Sequence, residues 1–210
     1  MQQDFQVDTT LSTKQLNHQS TSVVIPHILR TRIHQSMFYK TNLSLGNMRG
    51  HTMLEFMPVL FKYFIDPKKQ LKYCGGGEFA AFLLKLIEIK PTWEQVTSFI
   101  QVYCLKNMEI MKYAYALMMC YLRIQYYFIF EHDEQYPILQ QWFRDGYTRY
   151  NKIKCLRFDV DTSNKNDFVT YHVDELIDRL MRASDIWGIP LGQCRWLVNE
   201  FDDTSNTEDD

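Results

Sequence analysis

The chain has 210 residues, of which 46% are hydrophobic and 23% are charged. This is the balance of an ordinary globular protein, and a chain of this length can bury a core without disulfides or a structural metal ion. The formal net charge is −2, but the last eleven residues hold six acids and no Lys or Arg, so residues 1–199 carry a net charge of +4.

Cysteine usage and hydropathy argue against two classes of protein: those stabilised by disulfides or zinc, and those that span a membrane. Five cysteines are present and no two form a C-x-x-C pair, which is typical of reduced thiols in a cytosolic or nuclear protein and argues against a disulfide framework or a zinc site. The most apolar stretch, Tyr113 to Phe130, contains Arg123 and Gln125. A membrane span needs roughly 20 residues with few charges, so we predict a central core helix and no membrane partner.

Composition divides the chain into three parts. Residues 1–22 are rich in Gln, Asn, Ser and Thr and are expected to form an extended polar arm. Residues 23–199 carry the apolar periodicity of one helical domain without internal repeats. Residues 200–210 are polar and like-charged, which predicts an acidic disordered tail.

The first predicted helix opens at Pro26, because proline suits the first helical turn. Three apolar side chains then follow at a spacing of four and predict one buried stripe: Leu29, Ile33 and Met37. Arg30 and Arg32 are expected to project on either side of that stripe. Glycine and asparagine in residues 42–50 predict a loop.

Four helices are predicted in the middle of the chain. Their ranges are 52–65 with a kink at Pro58, 78–89, about 92–105, and a core helix from about residue 108. Gly75-Gly76-Gly77 predicts a sharp turn before the second of these helices. Thr92 and Gln95 have the spacing of a capping box at the start of the third.

In the C-terminal part, the spacing of apolar residues changes from that of a helix to that of a strand. A helix is predicted from Pro137, after which Leu156, Phe158 and Val160 alternate with less apolar residues as in a strand. Residues 168–172 would form the returning strand, and a last clear helix would open with acidic side chains that complement its dipole: Asp174 and Glu175. The predicted fold class is therefore mainly α, a single compact multi-helix domain with one small β-hairpin near residues 155–173.

Two motifs, each interpreted as a structural turn, could instead indicate a binding site for phosphate or for calcium. The glycines of residues 75–77 suggest a phosphate loop, but Glu78 and Phe79 follow where that motif needs Lys and Ser or Thr, so a structural turn is favoured. Four residues mimic the start of a calcium loop: Asp159, Asp161, Ser163 and Asp167. Its required Gly and Glu positions hold Asn164 and Thr170, which favours a hairpin turn. Because the six histidines show no catalytic or metal-ligating spacing, no enzyme, metal or cofactor is predicted.

Basic and aromatic side chains interleave between Trp142 and Phe158. Basic groups neutralise phosphates and exposed aromatic rings stack on bases, so an RNA-facing surface is one interpretation. An amphipathic helix with a solvated basic face is the other, and we favour it because the aromatic residues fall on the face predicted to be buried. The acidic tail also argues against strong nucleic-acid binding, because it repels phosphate.

Four runs of residues resemble the pre-mRNA-splicing factor 38 family in their order and spacing, across about residues 15–199. They are LRTRIHQSMFY at 29–39, GGG at 75–77 with Phe79 and the Leu83, Lys85 and Leu86 that follow, YNKIK at 150–154, and HVDELID at 172–178. Three further runs, at 5–7, 14–17 and 186–192, resemble the budding-yeast form of the family. Animal members carry a long Arg/Ser-rich tail, whereas this sequence shows a short acidic one.

The resemblance implies a nuclear, mostly helical scaffold of the U4/U6.U5 tri-snRNP in the pre-catalytic spliceosome. Such proteins are needed for activation, when a helicase unwinds U4 RNA from U6. Partners in the family include a small zinc-finger splicing protein and a mostly helical, charged protein akin to microfibril-associated protein. Direct binding of small nuclear RNA through a basic-aromatic surface is the alternative function.

Two surfaces are hypothesised to contact these partners, because aromatic and Arg anchors supply most of the affinity of an interface. The first surface comprises Arg30, Arg32 and Tyr39. The second is a basic face comprising Arg144, Arg149, Lys152 and Lys154. For each arginine, an intramolecular salt bridge or helix cap is at least as good an interpretation.

Overall fold

The computed structural model describes residues 25–48, 52–66, 68, 71, 73–126, 129, 132–161 and 167–191. The predicted arm (1–22) and the acidic tail (200–210) lie outside the described residues, so the three-part division stays a prediction. The helices are α1 His27–Gln35, α2 Met37–Asn42, α3 Leu45–Met48, α4 Met53–Phe64, α5 Gly77–Ile89, α6 Trp93–Ser98, a π-helix Phe99–Cys104, α7 Met108–Tyr126, α8 Gln135–Gly146 and α9 Val173–Arg182. The strands are β1 Lys152–Leu156, β2 Phe168–His172, β3 Asp185–Ile186 and β4 Ile189–Pro190.

The predicted stripe of the first helix is interrupted at Ser36. This residue has an extended backbone (ψ 143°), and its hydroxyl oxygen accepts a hydrogen bond from the Tyr39 N–H, which starts α2. Leu29 and Ile33 are buried as expected, but the prediction for Met37 is wrong, because its side chain is 76% exposed. The break turns the chain before Met37, so a spacing of four no longer keeps it on the same face.

The predicted loop at residues 42–50 contains the single-turn helix α3. Asn47 stabilises this turn by donating its amide N–H to the Lys40 carbonyl at 2.7 Å. α4 then begins with a capping box between Thr52 and Glu55 and continues through Pro58. Its buried face carries Met53, Phe56, Leu60 and Phe64.

The capping box predicted at Thr92 is confirmed. The Thr92 hydroxyl accepts from the Gln95 N–H at 3.3 Å, and the Gln95 side chain accepts from the Thr92 N–H at 3.0 Å. The helix it starts was expected to remain regular to about residue 105, but it widens into a π-helix from Phe99. This wider turn places both Phe99 and Tyr103 against the Phe61 ring, with centroids 6.3 and 5.0 Å away.

We predict that Thr92→Ala lowers the free energy of unfolding by about 1 kcal/mol, because it removes the acceptor for a helix N-terminal amide. Thr92→Ser keeps that acceptor and is the matched control. Urea denaturation of the three proteins measures the difference. Equal midpoints for Thr92→Ala and Thr92→Ser would show that the cap contributes nothing.

α7 is the central core helix that the sequence predicts. Every residue from Ala114 to Tyr126 is buried, because α4, α5, α8 and α9 pack around it. Arg123 is fully buried and donates to the Leu180 and Leu191 carbonyls at 2.6 Å each. Among the described residues, no helix is long and apolar enough to cross a membrane.

The predicted hairpin is present, but its first strand is displaced. β1 pairs antiparallel with β2 from Lys152↔His172 to Leu156↔Phe168, whereas the alternation predicted a strand that continued to Val160. The strand ends earlier because Arg157 N–H bonds to the Asp167 carbonyl and the chain turns, which stacks Phe158 on Tyr171 with centroids 4.1 Å apart. On its other side β1 hydrogen-bonds to Cys74, through the Lys154 carbonyl at 2.8 Å and the Leu156 N–H at 2.9 Å.

The glycine run before α5 is explained by close packing against Trp187. Gly75 has φ +82°, and a Cβ built on it would lie 2.5 Å from the Trp187 ring. Trp187 is fully buried, has φ +52° in the β3–β4 turn, and donates its indole N–H to the Leu156 carbonyl at 2.9 Å. Gly75 therefore allows an approach that no other residue could, and this agrees with the interpretation as a structural turn.

Candidate interaction surfaces

The first predicted surface is divided between solvent and core. Arg32 is exposed and lies 3.4 Å from the Asp161 carboxylate, while Arg30 is half-buried on the same helix. Tyr39 is only 8% exposed. Its role as a partner contact stays a prediction, but the structure places its ring below the surface, so the two arginines are the accessible part.

Tyr39 belongs to a buried polar network centred on Glu88. The Glu88 carboxylate accepts hydrogen bonds from Tyr39 Oη at 2.5 Å and from His34 Nε2 at 2.8 Å. Lys85 Nζ donates to the same carboxylate at 3.3 Å and lies 5.7 Å from the Tyr39 ring centroid. The side chains of Lys85 and Glu88 are completely buried, and that of His34 is 33% exposed.

Electrostatics in this network favour an ionised Glu88. Burial raises the pKa of its carboxyl, but the His34 hydrogen bond, the Lys85 charge and the Tyr39 hydrogen bond together bring that pKa below its ordinary value. Burial beside Glu88 raises the pKa of Tyr39, so its hydroxyl stays protonated and donates. The network ties α1 and α2 to α5, and we interpret it as an internal clamp.

The second predicted surface is brought together only in part. Lys152 and Lys154 are exposed and alternate with buried Ile153, so both project from the same face of β1. Lys154 Nζ lies 5.4 Å from the centroid of the Phe168 ring on the paired strand. Arg144 is exposed on the last turn of α8.

Arg149 has an internal role in the structure. Its guanidinium lies 5.6 Å from the Tyr115 ring centroid, and its carbonyl accepts the Asp174 N–H at 3.1 Å. Burial raises the pKa of Tyr115 to about 12, although the charge of Arg149 opposes that rise. This outcome agrees with the intramolecular alternative for Arg149, and partner binding by this residue remains untested.

Lys112 is a basic residue that the sequence hypothesis missed. Its Nζ lies 5.7 Å from the Tyr113 ring centroid, and the Tyr113 hydroxyl accepts the Lys154 N–H at 3.3 Å. Lys112 and Lys154 therefore flank one tyrosine although they are 42 positions apart. We name Lys112, Lys152, Lys154, Tyr113 and Phe168 the basic hairpin face. The only local indication of this face was a lysine followed by a tyrosine on a predicted helix. That β1 lies beside this helix could not be inferred from residue spacing along the sequence.

Three of the residues that mimic a calcium loop, Asp159, Asp161 and Asp167, form ion pairs instead, whereas Ser163 lies outside the described residues. Arg157 Nη2 lies 3.0 Å from Asp159, and its Nε lies 3.5 Å from Asp167. The hydrogen bonds and charge of Arg157 lower the pKa of Asp159. Asp161 faces Arg32. The segment joins two strands, in agreement with the hairpin interpretation.

A cleft of about 550 Å³ lies along α9. It is lined by the rings of Tyr147 and Phe158 and by charged side chains of α9, among them Asp174, Asp178, Arg179 and Arg182. Asp178 accepts from Tyr147 Oη at 2.5 Å and from Arg182 Nε at 2.7 Å. Burial and this hydrogen bond raise the pKa of Tyr147 to about 12. Sequence reasoning did not identify this cleft, because its aromatic residues come from two separate segments, Tyr147 from the residue after α8 and Phe158 from the segment after β1.

One group of side chains could hold a cation by its composition. His172, Asp174 and Glu175 bring potential ligand atoms within 4.8 Å of one another at the start of α9. Glu175 is already engaged there, because its carboxylate accepts the His172 N–H at 2.6 Å and lies 3.1 Å from His172 Nδ1. These contacts form a capping box, so His172 and Glu175 are accounted for by helix initiation.

Known proteins resemble this chain along most of its length. Pre-mRNA-splicing factor 38 of Saccharomyces cerevisiae is 37% identical over 220 residues, which cover 96% of this chain and 90% of the yeast protein. Pre-mRNA-splicing factor 38A of Danio rerio is 27% identical over 188 residues, and the match covers 84% of this chain but only 49% of the zebrafish protein.

A solved structure shares the fold. It is the crystal structure of the Snu23-Prp38-MFAP1(217-258) complex of Chaetomium thermophilum, matched with a TM-score of 0.58 and 17% sequence identity over 95% of this chain and 90% of that one. The model of the PRP38 family matches residues 14–204. Together with the yeast relative, this match shows that the chain belongs to the PRP38 family.

Proposed function

We propose that this protein is a non-catalytic scaffold of the spliceosome, acting in the U4/U6.U5 tri-snRNP and the pre-catalytic complex. The observation that carries the proposal is its likeness, along nearly the whole chain, to the yeast pre-mRNA-splicing factor 38. A nuclear location follows from that role. The protein would be required for activation, contributing protein contacts while a helicase unwinds U4 RNA from U6.

The use of its titratable groups supports a non-catalytic role. The buried Glu88 carboxylate accepts hydrogen bonds from the buried Lys85 ammonium and from the Tyr39 hydroxyl. His172 and Glu175 form the capping box of α9. These groups join secondary-structure elements, as expected of a rigid helical support.

Protein partners are proposed from the same relatives. The Chaetomium thermophilum structure contains Prp38 together with Snu23 and a segment of MFAP1. We propose that this chain binds its own counterparts, a zinc-finger splicing protein and a helical, charged protein akin to microfibril-associated protein. Exposed Arg32 and Arg144 are suited to such contacts, because guanidinium groups anchor interfaces more often than most side chains.

A tagged pull-down from nuclear extract tests this function, with both RNA and protein in the eluate identified. We expect U4, U5 and U6 RNAs with tri-snRNP proteins. Depleting the protein from extract should leave U4 paired with U6 in complexes that assemble but do not activate. Recovery of no spliceosomal component, or normal U4 release after depletion, would contradict the proposal.

A second candidate function is direct binding of small nuclear RNA. The basic hairpin face favours it, because Lys112 lies 5.7 Å from the Tyr113 ring centroid and Lys154 lies 5.4 Å from that of Phe168, while exposed Lys152 projects from the same face of β1 as Lys154. Lysines neutralise phosphates, and aromatic rings can stack on unpaired bases.

We predict for this candidate that replacing Lys112, Lys152 and Lys154 by Gln lowers the affinity for single-stranded U6 RNA. The salt dependence of log K should become shallower by about 2, since each lost phosphate contact contributes about 0.7. A matched control replaces three other lysines by Gln: Lys40, Lys62 and Lys68. Equal slopes for both triple variants would leave the RNA candidate without support.

A further inference from the structure

Three buried cysteines lie near one another where β1 meets the turn before α5. Cys74 and Cys155 are each fully buried, as is Cys120 on the central helix α7. The Cys74 thiol is hydrogen-bonded to that of Cys155, and Cys120 lies within range of electrostatic interaction with both. The hydrogen-bonded pair joins two segments that are 81 positions apart in the sequence.

A metal ion does not explain this cluster. Within the described ranges, the structure brings three potential metal ligands together only at the start of α9, so the three thiols do not form a metal site. All three are free cysteines. The chemistry that two thiols in contact have in common is oxidation to a disulfide.

The backbone holds Cys74 and Cys155 in register for such a bond. They are the paired residues of a parallel β-bridge, in which the Cys74 N–H donates to the Lys154 carbonyl at 2.8 Å and the Cys74 carbonyl accepts the Leu156 N–H at 2.9 Å. Neighbouring strands lie about 4.8 Å apart, and disulfides join residues whose Cα atoms are about 4.4–6.8 Å apart. Because the thiols already share a hydrogen bond, the two sulfur atoms can bond without a large movement of the backbone.

Access to the pair requires a local opening of this bridge. Burial is the main cause that raises the pKa of Cys74, so its thiol stays protonated and unreactive while the bridge is closed. The bridge is one isolated residue pair, and it can separate while β1 keeps its five pairs with β2. Opening exposes Cys74 to a small oxidant, and closing returns it to Cys155.

We propose that Cys74 and Cys155 form an oxidation site, a dithiol that hydrogen peroxide converts into a disulfide between the turn before α5 and β1. One thiolate attacks a peroxide oxygen, which forms an S–O bond and breaks the O–O bond, and the hydroxide released is protonated to water. The second thiolate attacks the sulfur of the resulting sulfenic acid, forms the S–S bond and releases a second water. The two thiols lose two electrons and two protons in total, and one peroxide molecule becomes two water molecules. This site is additional to the proposed scaffold function and does not depend on it.

The test treats the reduced full chain with hydrogen peroxide and then blocks the remaining thiols with N-ethylmaleimide under denaturing conditions. We expect peptide mapping to recover the Cys74 and Cys155 peptides as one linked species, which dithiothreitol separates. Oxidation of Met37, whose side chain is 76% exposed, verifies in the same map that the peroxide has reacted. If Met37 is oxidised while Cys74 and Cys155 both remain free thiols, the proposal is overturned.

A second measurement follows the stability of the oxidised protein before thiols are blocked. Its Tm should fall by about 5 °C or more when dithiothreitol is added, because the disulfide joins residues 81 positions apart. Methionine sulfoxide is not a disulfide and persists through this step, so it does not contribute to the difference. A Tm that does not respond to dithiothreitol would contradict a stabilising disulfide.

Two variants make the result specific. Cys155→Ala removes one partner, so peroxide should give no linked peptide at Cys74 and dithiothreitol should leave Tm unchanged. Cys104→Ala removes a fully buried cysteine from the π-helix and should keep both effects seen with the wild type. Circular dichroism of the reduced variants checks that they are folded, and the wild-type peptide map decides the outcome even if Cys155→Ala is not. Linkage of Cys74 to a cysteine other than Cys155 would reject the assigned pair.

Discussion

Glu88→Gln is expected to lower the free energy of unfolding by about 3–5 kcal/mol, the typical cost of removing one partner of a buried ion pair. The substitution keeps the shape of the side chain but removes the negative charge that faces the fully buried Lys85 ammonium at 3.3 Å. It also replaces the carboxylate that accepts from Tyr39 and His34 by an amide with a single acceptor oxygen. Urea denaturation at neutral pH measures the loss.

A double variant shows whether the buried charge causes this loss. Lys85→Met removes the ammonium and keeps a flexible chain of similar length, so Lys85→Met with Glu88→Gln should recover a large part of the stability lost by Glu88→Gln alone. If the two single effects simply add in the double variant, the ion pair does not account for the loss and the clamp has been misinterpreted.

The single variant Glu88→Gln should also change how the free energy of unfolding depends on pH under acidic conditions. Because the pKa of Glu88 is lowered in the folded protein, the unfolded chain binds more protons between that lowered value and the ordinary carboxyl pKa of about 4.3. The stabilisation is therefore complete above the ordinary value and is lost as pH falls through the folded pKa. Glu88→Gln should flatten the dependence of unfolding free energy on pH in this acidic window. A parallel curve for both proteins would contradict the assignment.

Gly75→Ala is expected to destabilise the fold by about 3 kcal/mol or more. The new methyl group would lie 2.5 Å from the ring of Trp187, and overpacking of this kind typically costs about 1–3 kcal/mol. The positive φ of Gly75 (+82°) adds about 1–2 kcal/mol for any residue with a Cβ. Trp187 cannot yield easily, because its indole N–H is bonded to the Leu156 carbonyl and its ring packs edge-on against Phe79.

Gly77→Ala is the matched control for this prediction. A Cβ at Gly77 meets nothing within 4 Å, and the residue opens α5 with ordinary helical backbone. Alanine loses less conformational freedom than glycine on folding, so this variant should be neutral or more stable by up to about 1 kcal/mol. Thermal and urea unfolding of both variants measure the difference. If Gly77→Ala lost as much stability as Gly75→Ala, the Trp187 contact would not be the reason for the sensitivity of the glycine run.

Features set by neighbouring residues were predictable from the sequence. The capping box of Thr92 and Gln95 and the central helix depend on residues within a few positions of one another, and so does the strand-like alternation that indicated a hairpin. Local hydrogen bonding and hydrophobic periodicity suffice for such features.

Features set by distant residues were not predictable. Tyr39 was expected at the surface, but Glu88, 49 positions away, draws its hydroxyl into the interior. β1 begins three residues before the predicted strand, because Lys152 pairs with His172, 20 positions further along the chain. The cleft along α9 likewise needs rings from two other segments. Residue spacing along the sequence does not predict such long-range contacts.

The buried Arg123 affects when the core of this protein can fold during translation. Its guanidinium is satisfied in part by carbonyls 57 and 68 positions later in the chain. While a ribosome is still translating the segment before Leu191, the central helix lacks these acceptors, and a charge without them disfavours burial. The core should therefore close only after residue 191 has left the exit tunnel. Because both acceptors come late in the chain, the buried arrangement of Arg123 is expected to form late in translation.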